Sequence, residues 1–148
     1  MRTITERILT LTLRVIGAAS ALAAPCALMP YRWMNVIHGW LGLGPLPDAP
    51  IVGYLTRSLS AFYALLGGLL WVLSFDVRRH RLALSYLGVA FVGFGLFLFG
   101  VGWVEGLPVF WRWWEGSVDV GFGLVIFLLS RGVGLQAPTD RREPKPHP

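Results

Sequence analysis

The chain has 148 residues, of which 55% are hydrophobic and 14% charged, and its mean hydropathy is +0.60. Because a soluble domain carries about a quarter charged residues, this composition excludes an ordinary soluble domain and indicates an integral membrane protein. The net charge of +5 is not evidence for nucleic-acid binding, since in a membrane protein the positions of basic residues matter more than their sum. We therefore expect the lipid bilayer as a partner and no nucleic acid.

The first apolar run covers residues 8–29 and is interrupted by Arg14. Its basic start and the Ala-Leu-Ala sequence at 21–23, which has the small–any–small pattern of a cleavage site, also fit a cleavable signal peptide. Arg14 inside the run and Pro25 at the cleavage position favour a retained span, preceded by a cytoplasmic N-terminus at residues 1–7. In such a span, Arg14 is expected to extend toward the headgroups or to reach Asp76.

A short amphipathic helix is predicted in the first outer connection, after Pro30. Its apolar face carries Trp33, Ile37 and Trp40 at helical spacing, which is typical of a helix lying in the membrane interface. Three prolines between residues 44 and 50 end it.

Three further spans complete a single membrane domain at residues 8–131. They are predicted at about 51–75, 82–104 and 113–130, and residues 132–148 form a proline-rich basic tail that is expected to be disordered. The fold class is therefore an all-α integral membrane four-helix bundle.

The basic residues predict the orientation of these spans. In a four-span topology, nine Arg or Lys residues fall on the side of the termini and only Arg32 and Arg112 on the other. Six of the seven tryptophans lie on the side with fewer basic residues, at the headgroup level that indole rings favour. We expect a bacterial inner-membrane protein with both termini in the cytoplasm.

Two charges inside predicted spans are candidates for a buried ion pair. Arg57 and Asp119 have opposite signs and each lies roughly 9 Å from the outer end of its span, at 1.5 Å per residue. A pair would offset part of the cost of a charge in the membrane. The alternatives are a contact that fixes two helices and a site for an anionic or proton-linked ligand.

Small residues mark the helix faces that can approach closely in lipid. Ser60, Ala64 and Gly68 recur every fourth position in the second span. The third span has two seven-residue lines, one of which is Gly88, Gly95 and Gly102 and the other Gly93 and Gly100. This pattern predicts close approach on two sides, as a central helix or in a homo-oligomer. The alternative is that glycine is simply frequent in membrane helices.

Residues for chemistry are few. Cys26 is the only cysteine, and the three histidines (His38, His80 and His147) all fall outside the predicted spans, which argues against haem and metal sites. No nucleophile–base pair or nucleotide-binding motif is present. We expect no cofactor and no enzymatic activity.

The outer connections supply candidates for ligand contacts, because they combine arginine with aromatic residues that suit a lipid headgroup or a quinone. The candidates are Arg32, Trp33, Trp40, Arg112, Trp113 and Glu115.

The four apolar runs and the aromatic outer connections resemble the small bacterial four-helix membrane proteins of the DoxX-like kind. The resemblance covers residues 8–131, rests on architecture and composition, and implies no catalytic residues. Three hypotheses follow from the sequence: an accessory protein that associates with itself or with a larger membrane complex, a lipid- or quinone-binding module, and a small transporter coupled through Asp119.

Overall fold

The computed structural model describes residues 3–135, which form six helices and no strand over that range. The predicted all-α, four-helix membrane fold is confirmed, because four stretches are long and apolar enough to cross a membrane: Ile4–Ala27, Pro50–Leu73, Arg81–Val104 and Val109–Val133. Helix α3 occupies the first connection, as expected. The helices are α1 (Ile4–Ala21), α2 (Ala24–Ala27), α3 (Tyr31–Trp40), α4 (Pro50–Leu73), α5 (Arg81–Val104) and α6 (Val109–Leu135).

Local capping sets the helix ends that hydropathy alone does not locate. Helix α1 begins at Ile4 because Thr3 and Glu6 form a capping box, in which each side chain accepts a hydrogen bond from the other residue's backbone N–H at 3.3 Å. Helix α6 begins at Val109, directly after Pro108, and continues to Leu135. It therefore includes the first residues of the predicted tail, whose remaining part, 136–148, lies outside the described residues.

The four long helices pack in the order α4, α1, α6, α5. Helices α5 and α6 make the most extensive contact, α1 packs on α4, and α1 also packs on α6. Helices α4 and α5 have little backbone contact with each other, although a short turn at residues 74–80 connects them. The bundle is thus closed on three sides and open on the fourth.

The buried core lies toward the end of the bundle that contains this turn, which we call the turn end; the opposite end is the α3 end. Glu6 is buried here and forms an ion pair with Arg78 from the turn, whose side chain is 50% exposed. The core consists of Leu9, Leu13, Ile16, Leu70, Leu73, Val77, Leu84, Ile126 and Val133.

Glycines bring α5 and α6 into backbone contact. A Cβ atom on Gly95 would lie 2.6 Å from the carbonyl oxygen of Gly116, and one on Gly88 would lie 2.9 Å from that of Gly123. Real Cβ atoms do not approach that closely, so no side chain fits at these positions without moving a backbone. The line of Gly88, Gly95 and Gly102 on α5 therefore faces α6.

The packing face of α4 differs from the predicted one. Gly67 contacts α1, since a Cβ atom on it would lie 2.5 Å from the carbonyl oxygen of Gly17. Gly68, one position later, is exposed with open space around its Cα, and Ser60 and Ala64 are only half-buried. The pattern of a small residue at every fourth position predicted a helix face that is one residue away from the observed contact. Gly67 and Gly68 are adjacent, and either of them fits a small-residue pattern.

The second glycine line of α5 has no close neighbour among residues 3–135. A Cβ atom on Gly93 or Gly100 would meet no atom within 4 Å in the described structure. Helix α5 is therefore closely approached on one side by its own chain and is not a central helix.

These glycines allow a direct test of the α5–α6 contact. We expect Gly95→Ala to lower the free energy of unfolding by about 1–3 kcal/mol, because its new methyl group overlaps the α6 backbone. The matched control Gly93→Ala should leave stability unchanged or raise it by up to about 1 kcal/mol, since alanine is the better helix former. Reversible unfolding in mixed detergent micelles measures both, and equal effects would contradict this packing.

Candidate functional site

A crevice of about 280 Å³ occupies the open side of the bundle, where α4 and α5 stand apart. Its walls are apolar and aromatic, and Asp119 from α6 is part of the lining, although almost none of the crevice surface is polar. The α4 wall is Leu59, Phe62, Tyr63 and Leu66, and the α5 wall is Leu87, Ala90, Phe91 and Phe94.

Helix pairing explains why the crevice forms here. Gly17 and Gly67 hold α4 against α1, and the glycine contact holds α5 against α6, so α4 and α5 belong to different pairs. At the turn end the core closes the gap, and Leu87 and Phe91 of the α5 wall pack against that core. The walls are therefore joined at the turn end and open toward the bilayer: Leu59, for example, is 54% exposed.

Two acidic residues, Glu115 and Asp119, lie one helical turn apart on α6, and Asp119 is part of the crevice lining. Within residues 3–135 the structure has no hydrogen bond or ion pair to either carboxylate. Asp119 is ten residues from the first residue of α6, or roughly 15 Å along the helix at 1.5 Å per residue. An ionisable group at such a position in a span is a functional-site candidate by default.

The structure does not bring Arg57 and Asp119 together. The Arg57 side chain extends toward the α3 end, passes close to Gly53, and its Nη2 donates a hydrogen bond of 3.2 Å to the carbonyl oxygen of Met29. Met29 follows α2, so its carbonyl oxygen has no partner inside a continuing helix. A long arginine side chain can reach such an acceptor near the interface, which avoids placing its charge at the depth of Asp119.

Arg14 also has a partner other than the expected Asp76. Its Nε donates to Ser74 Oγ at 3.3 Å, and its guanidinium carbon lies 5.8 Å from the ring centroids of both Trp71 and Phe75. Asp76 instead accepts a hydrogen bond from the backbone N–H of Arg79. A serine hydroxyl and two aromatic rings, in the last turn of α4 and just after it, thus accommodate the charge of Arg14.

The six residues predicted as outer ligand contacts do not form one site. Arg32, Trp33 and Trp40 line an open surface groove on α3, where Trp40 is 83% exposed. On α6, Arg112 lies over the Trp103 ring at 4.6 Å and Trp113 contacts Trp103 edge to face. The sixth, Glu115, lies on α6 one turn before Asp119 and is not part of the crevice lining.

The polar face of α3 has a structural role that the amphipathic pattern did not reveal. Tyr31 donates its hydroxyl hydrogen to Leu46 O at 2.6 Å, Asn35 Oδ1 accepts from Leu46 N–H at 2.7 Å, and His38 Nδ1 lies 2.8 Å from Gly44 O. These bonds fold the loop back on α3, which leaves Trp33 and Trp40 exposed on its surface.

Sequence reasoning also missed the aromatic walls of the crevice. Both walls have the same helical spacing, i, i+3, i+4 and i+7, beginning at Leu59 on α4 and at Leu87 on α5. In a soluble helix, apolar residues at this spacing are recognisable because the other faces are polar. In a membrane span every face is apolar, so the same spacing cannot be recognised in the sequence.

Comparison with protein-family models, with curated proteins and with solved structures found no match for this chain. The resemblance to DoxX-like proteins therefore rests on architecture and composition alone.

A double-mutant cycle tests the separation of Arg57 from Asp119. We expect the effects of Arg57→Gln and Asp119→Asn on the free energy of unfolding to add within about 0.5 kcal/mol, because the two side chains share no contact. The reference cycle is Glu6→Gln with Arg78→Gln. It should show a coupling of about 1 kcal/mol, since Glu6 is buried but Arg78 is half exposed. A coupling of similar size in both cycles would show that Arg57 and Asp119 do pair.

Proposed function

We propose that the protein is an accessory membrane protein that binds an amphiphilic molecule in the crevice between α4 and α5. The observation that carries the proposal is the crevice itself, with its apolar and aromatic walls and with Asp119 as the one charged residue of its lining. Ligand sites are typically concave and mostly apolar, with a few polar groups that fix orientation. Binding of this kind needs no catalytic group in the protein.

The position of the crevice favours a ligand that comes from the bilayer. The exposed wall residues Leu59, Phe62 and Phe94 lie at its edge, in helices long and apolar enough to cross a membrane. A molecule dissolved in the lipid phase can therefore enter sideways between α4 and α5. Its apolar part would contact the walls, while a polar group would meet Asp119.

We further propose that the protein resides in the bacterial inner membrane with its termini in the cytoplasm. The distribution of basic residues supports this orientation. Within residues 3–135, five lie at the turn end (Arg7, Arg78, Arg79, Arg81 and Arg131) and two at the α3 end (Arg32 and Arg112). The α3 end, with its exposed Trp33 and Trp40, then lies at the outer interface, where indole rings are favoured.

A small transporter coupled through Asp119 is a second candidate function. The supporting observation is that Asp119 and Arg57 do not meet, so no arginine neutralises this carboxylate in the described structure. Transport in proteoliposomes separates the two candidates. A binding protein would retain its ligand without moving it, whereas a transporter would show flux that Asp119→Asn removes while the fold is kept.

The crevice can be tested with a neutral long-chain alcohol that carries a photoreactive diazirine in mid-chain. In nanodiscs of phosphatidylcholine, we expect the probe to label residues 59–66 and 87–94, identified by mass spectrometry of peptides. Ala90→Phe should lower the labelling at least about tenfold, which corresponds to 1.4 kcal/mol, because a phenyl ring fills the crevice.

Val89→Phe is the matched control, since Val89 is the preceding residue on α5, is 56% exposed and is not part of the wall. Its labelling pattern should equal that of the original chain. Uniform labelling of all lipid-facing surfaces, with no effect of Ala90→Phe, would refute a binding site in the crevice.

A further inference from the structure

Arg14 is level with one end of α4, although the sequence places it well inside the first span. Its side chain bonds to Ser74, the residue that caps α4 at its C-terminal end. The first turns of α1 therefore extend past α4, beside the turn at residues 74–80, where Glu6 pairs with Arg78. Because α4 is itself a candidate span, Arg14 lies close to the headgroup level of one leaflet.

Most of the hydrogen-bonding capacity of Arg14 is not used by the protein. Its Nε donates to Ser74 Oγ, but its two terminal amino groups have no acceptor within residues 3–135. The rings of Trp71 and Phe75 offset part of the charge, yet an aromatic ring is only a weak hydrogen-bond acceptor. The guanidinium thus keeps a planar pair of donors of the kind that binds a phosphate group at two points.

The surroundings of Arg14 are open to lipid on the side of α4 away from the crevice. Trp71 and Phe75 are 42% and 57% exposed. At 100° per residue they lie on one side of the Gly67 contact with α1, whereas the crevice wall of α4 lies on the other side. An indole ring at the end of a span is favoured at the headgroup level, which is the position of Trp71.

Small residues continue this surface toward the middle of the bundle. Ala64 and Gly68 extend the α4 face of Trp71, and a Cβ atom on Gly68 would meet no atom within 4 Å. On α1, Ala18 and Ala21 follow the arginine at i+4 and i+7, and both are exposed. These short side chains leave room for an acyl chain that descends from the headgroup level along the seam of α1 and α4.

The charges near this seam favour an anionic headgroup over a zwitterionic one. Both carboxylates at the turn end are engaged, since Glu6 pairs with Arg78 and Asp76 accepts the backbone N–H of Arg79. Clustered arginines next to a span attract anionic lipids and repel the cationic part of a zwitterionic headgroup. Besides Arg14, the arginines at this end are Arg7, Arg78, Arg79, Arg81 and Arg131.

We propose that Arg14, Ser74, Trp71 and Phe75 form a binding site for the phosphate group of an anionic phospholipid in the leaflet at the turn end. The terminal amino groups of Arg14 bind two phosphate oxygens, while Ser74 holds the guanidinium in place. One acyl chain lies along the small residues of α1 and α4. The site is separate from the crevice, so it stands or falls independently of the proposed function.

Native mass spectrometry in maltoside micelles tests this site with phosphatidylglycerol and with phosphatidylcholine of the same acyl chains. We expect the original chain to bind phosphatidylglycerol at least about tenfold more tightly. Arg14→Gln should remove this preference. Arg14→Lys keeps the charge but not the two-point geometry, so its preference should be intermediate.

Arg131→Gln is the matched control, because it changes the net charge equally at the same end of the bundle. Arg131 also lies 5.8 Å from an aromatic ring, that of Phe127, but it is on α6. We expect this variant to change the affinity for phosphatidylglycerol by less than about twofold, since an exposed charge away from the site is screened.

Thermal unfolding separates lipid binding from folding. Without lipid, Arg14→Gln should melt no lower than the original chain, because glutamine is uncharged and can still donate to Ser74. Added phosphatidylglycerol should raise the melting temperature of the original chain and of Arg131→Gln, but not that of Arg14→Gln.

Three results would overturn the proposal. Equal losses of affinity in Arg14→Gln and Arg131→Gln would show attraction to net charge without a site. A lipid preference that survives Arg14→Gln, with a lower melting temperature in the absence of lipid, would show that Arg14 has a structural role only. Displacement of phosphatidylglycerol by millimolar inorganic phosphate would show that the site takes a free anion and not a lipid.

Discussion

The contact of the α5 and α6 backbones at glycine determines most of this architecture. Gly88 and Gly95 of α5 meet Gly123 and Gly116 of α6 so closely that no Cβ atom fits between them. In a membrane, where apolar burial between helices contributes little, such close approach is a main source of helix association. Because α5 packs on α6, helix α4, which precedes α5 in the chain, packs on a different partner.

That partner is α1, and the consequence is an uneven bundle. Gly17 and Gly67 bring α1 and α4 together, while the short turn holds α4 and α5 in proximity at one end only. The core and the Glu6–Arg78 ion pair consolidate this turn end. Farther along, α4 and α5 have no contact strong enough to close the gap, and the crevice is what remains. It is a product of helix pairing and requires no unusual backbone conformation.

The sequence predicts the helices well and their rotation less well. Hydropathy and length suffice for the four apolar helices, because a spanning segment must be long, apolar and internally hydrogen-bonded. The glycine repeat at Gly88, Gly95 and Gly102 indicates the face of α5 that meets α6. On α4, however, Gly67 and Gly68 are adjacent, and a pattern of small residues cannot choose between them. The crevice walls were not predictable, since a face of leucine and phenylalanine looks the same against lipid as against a ligand.

The charges inside the spans differ in whether they have a partner. Arg14 has a serine hydroxyl and two aromatic faces, and Arg57 has the free carbonyl oxygen of Met29. Each of these arginines reaches its partner because its side chain is long and flexible. An aspartate has no such reach, so its charge stays where the helix places it, beside the crevice. Among the described residues, Glu115 and Asp119 are the acidic side chains of the spans without a hydrogen bond or ion pair, and of these two only Asp119 is part of the crevice lining. A position that breaks a local rule obeyed elsewhere is where a functional residue is expected.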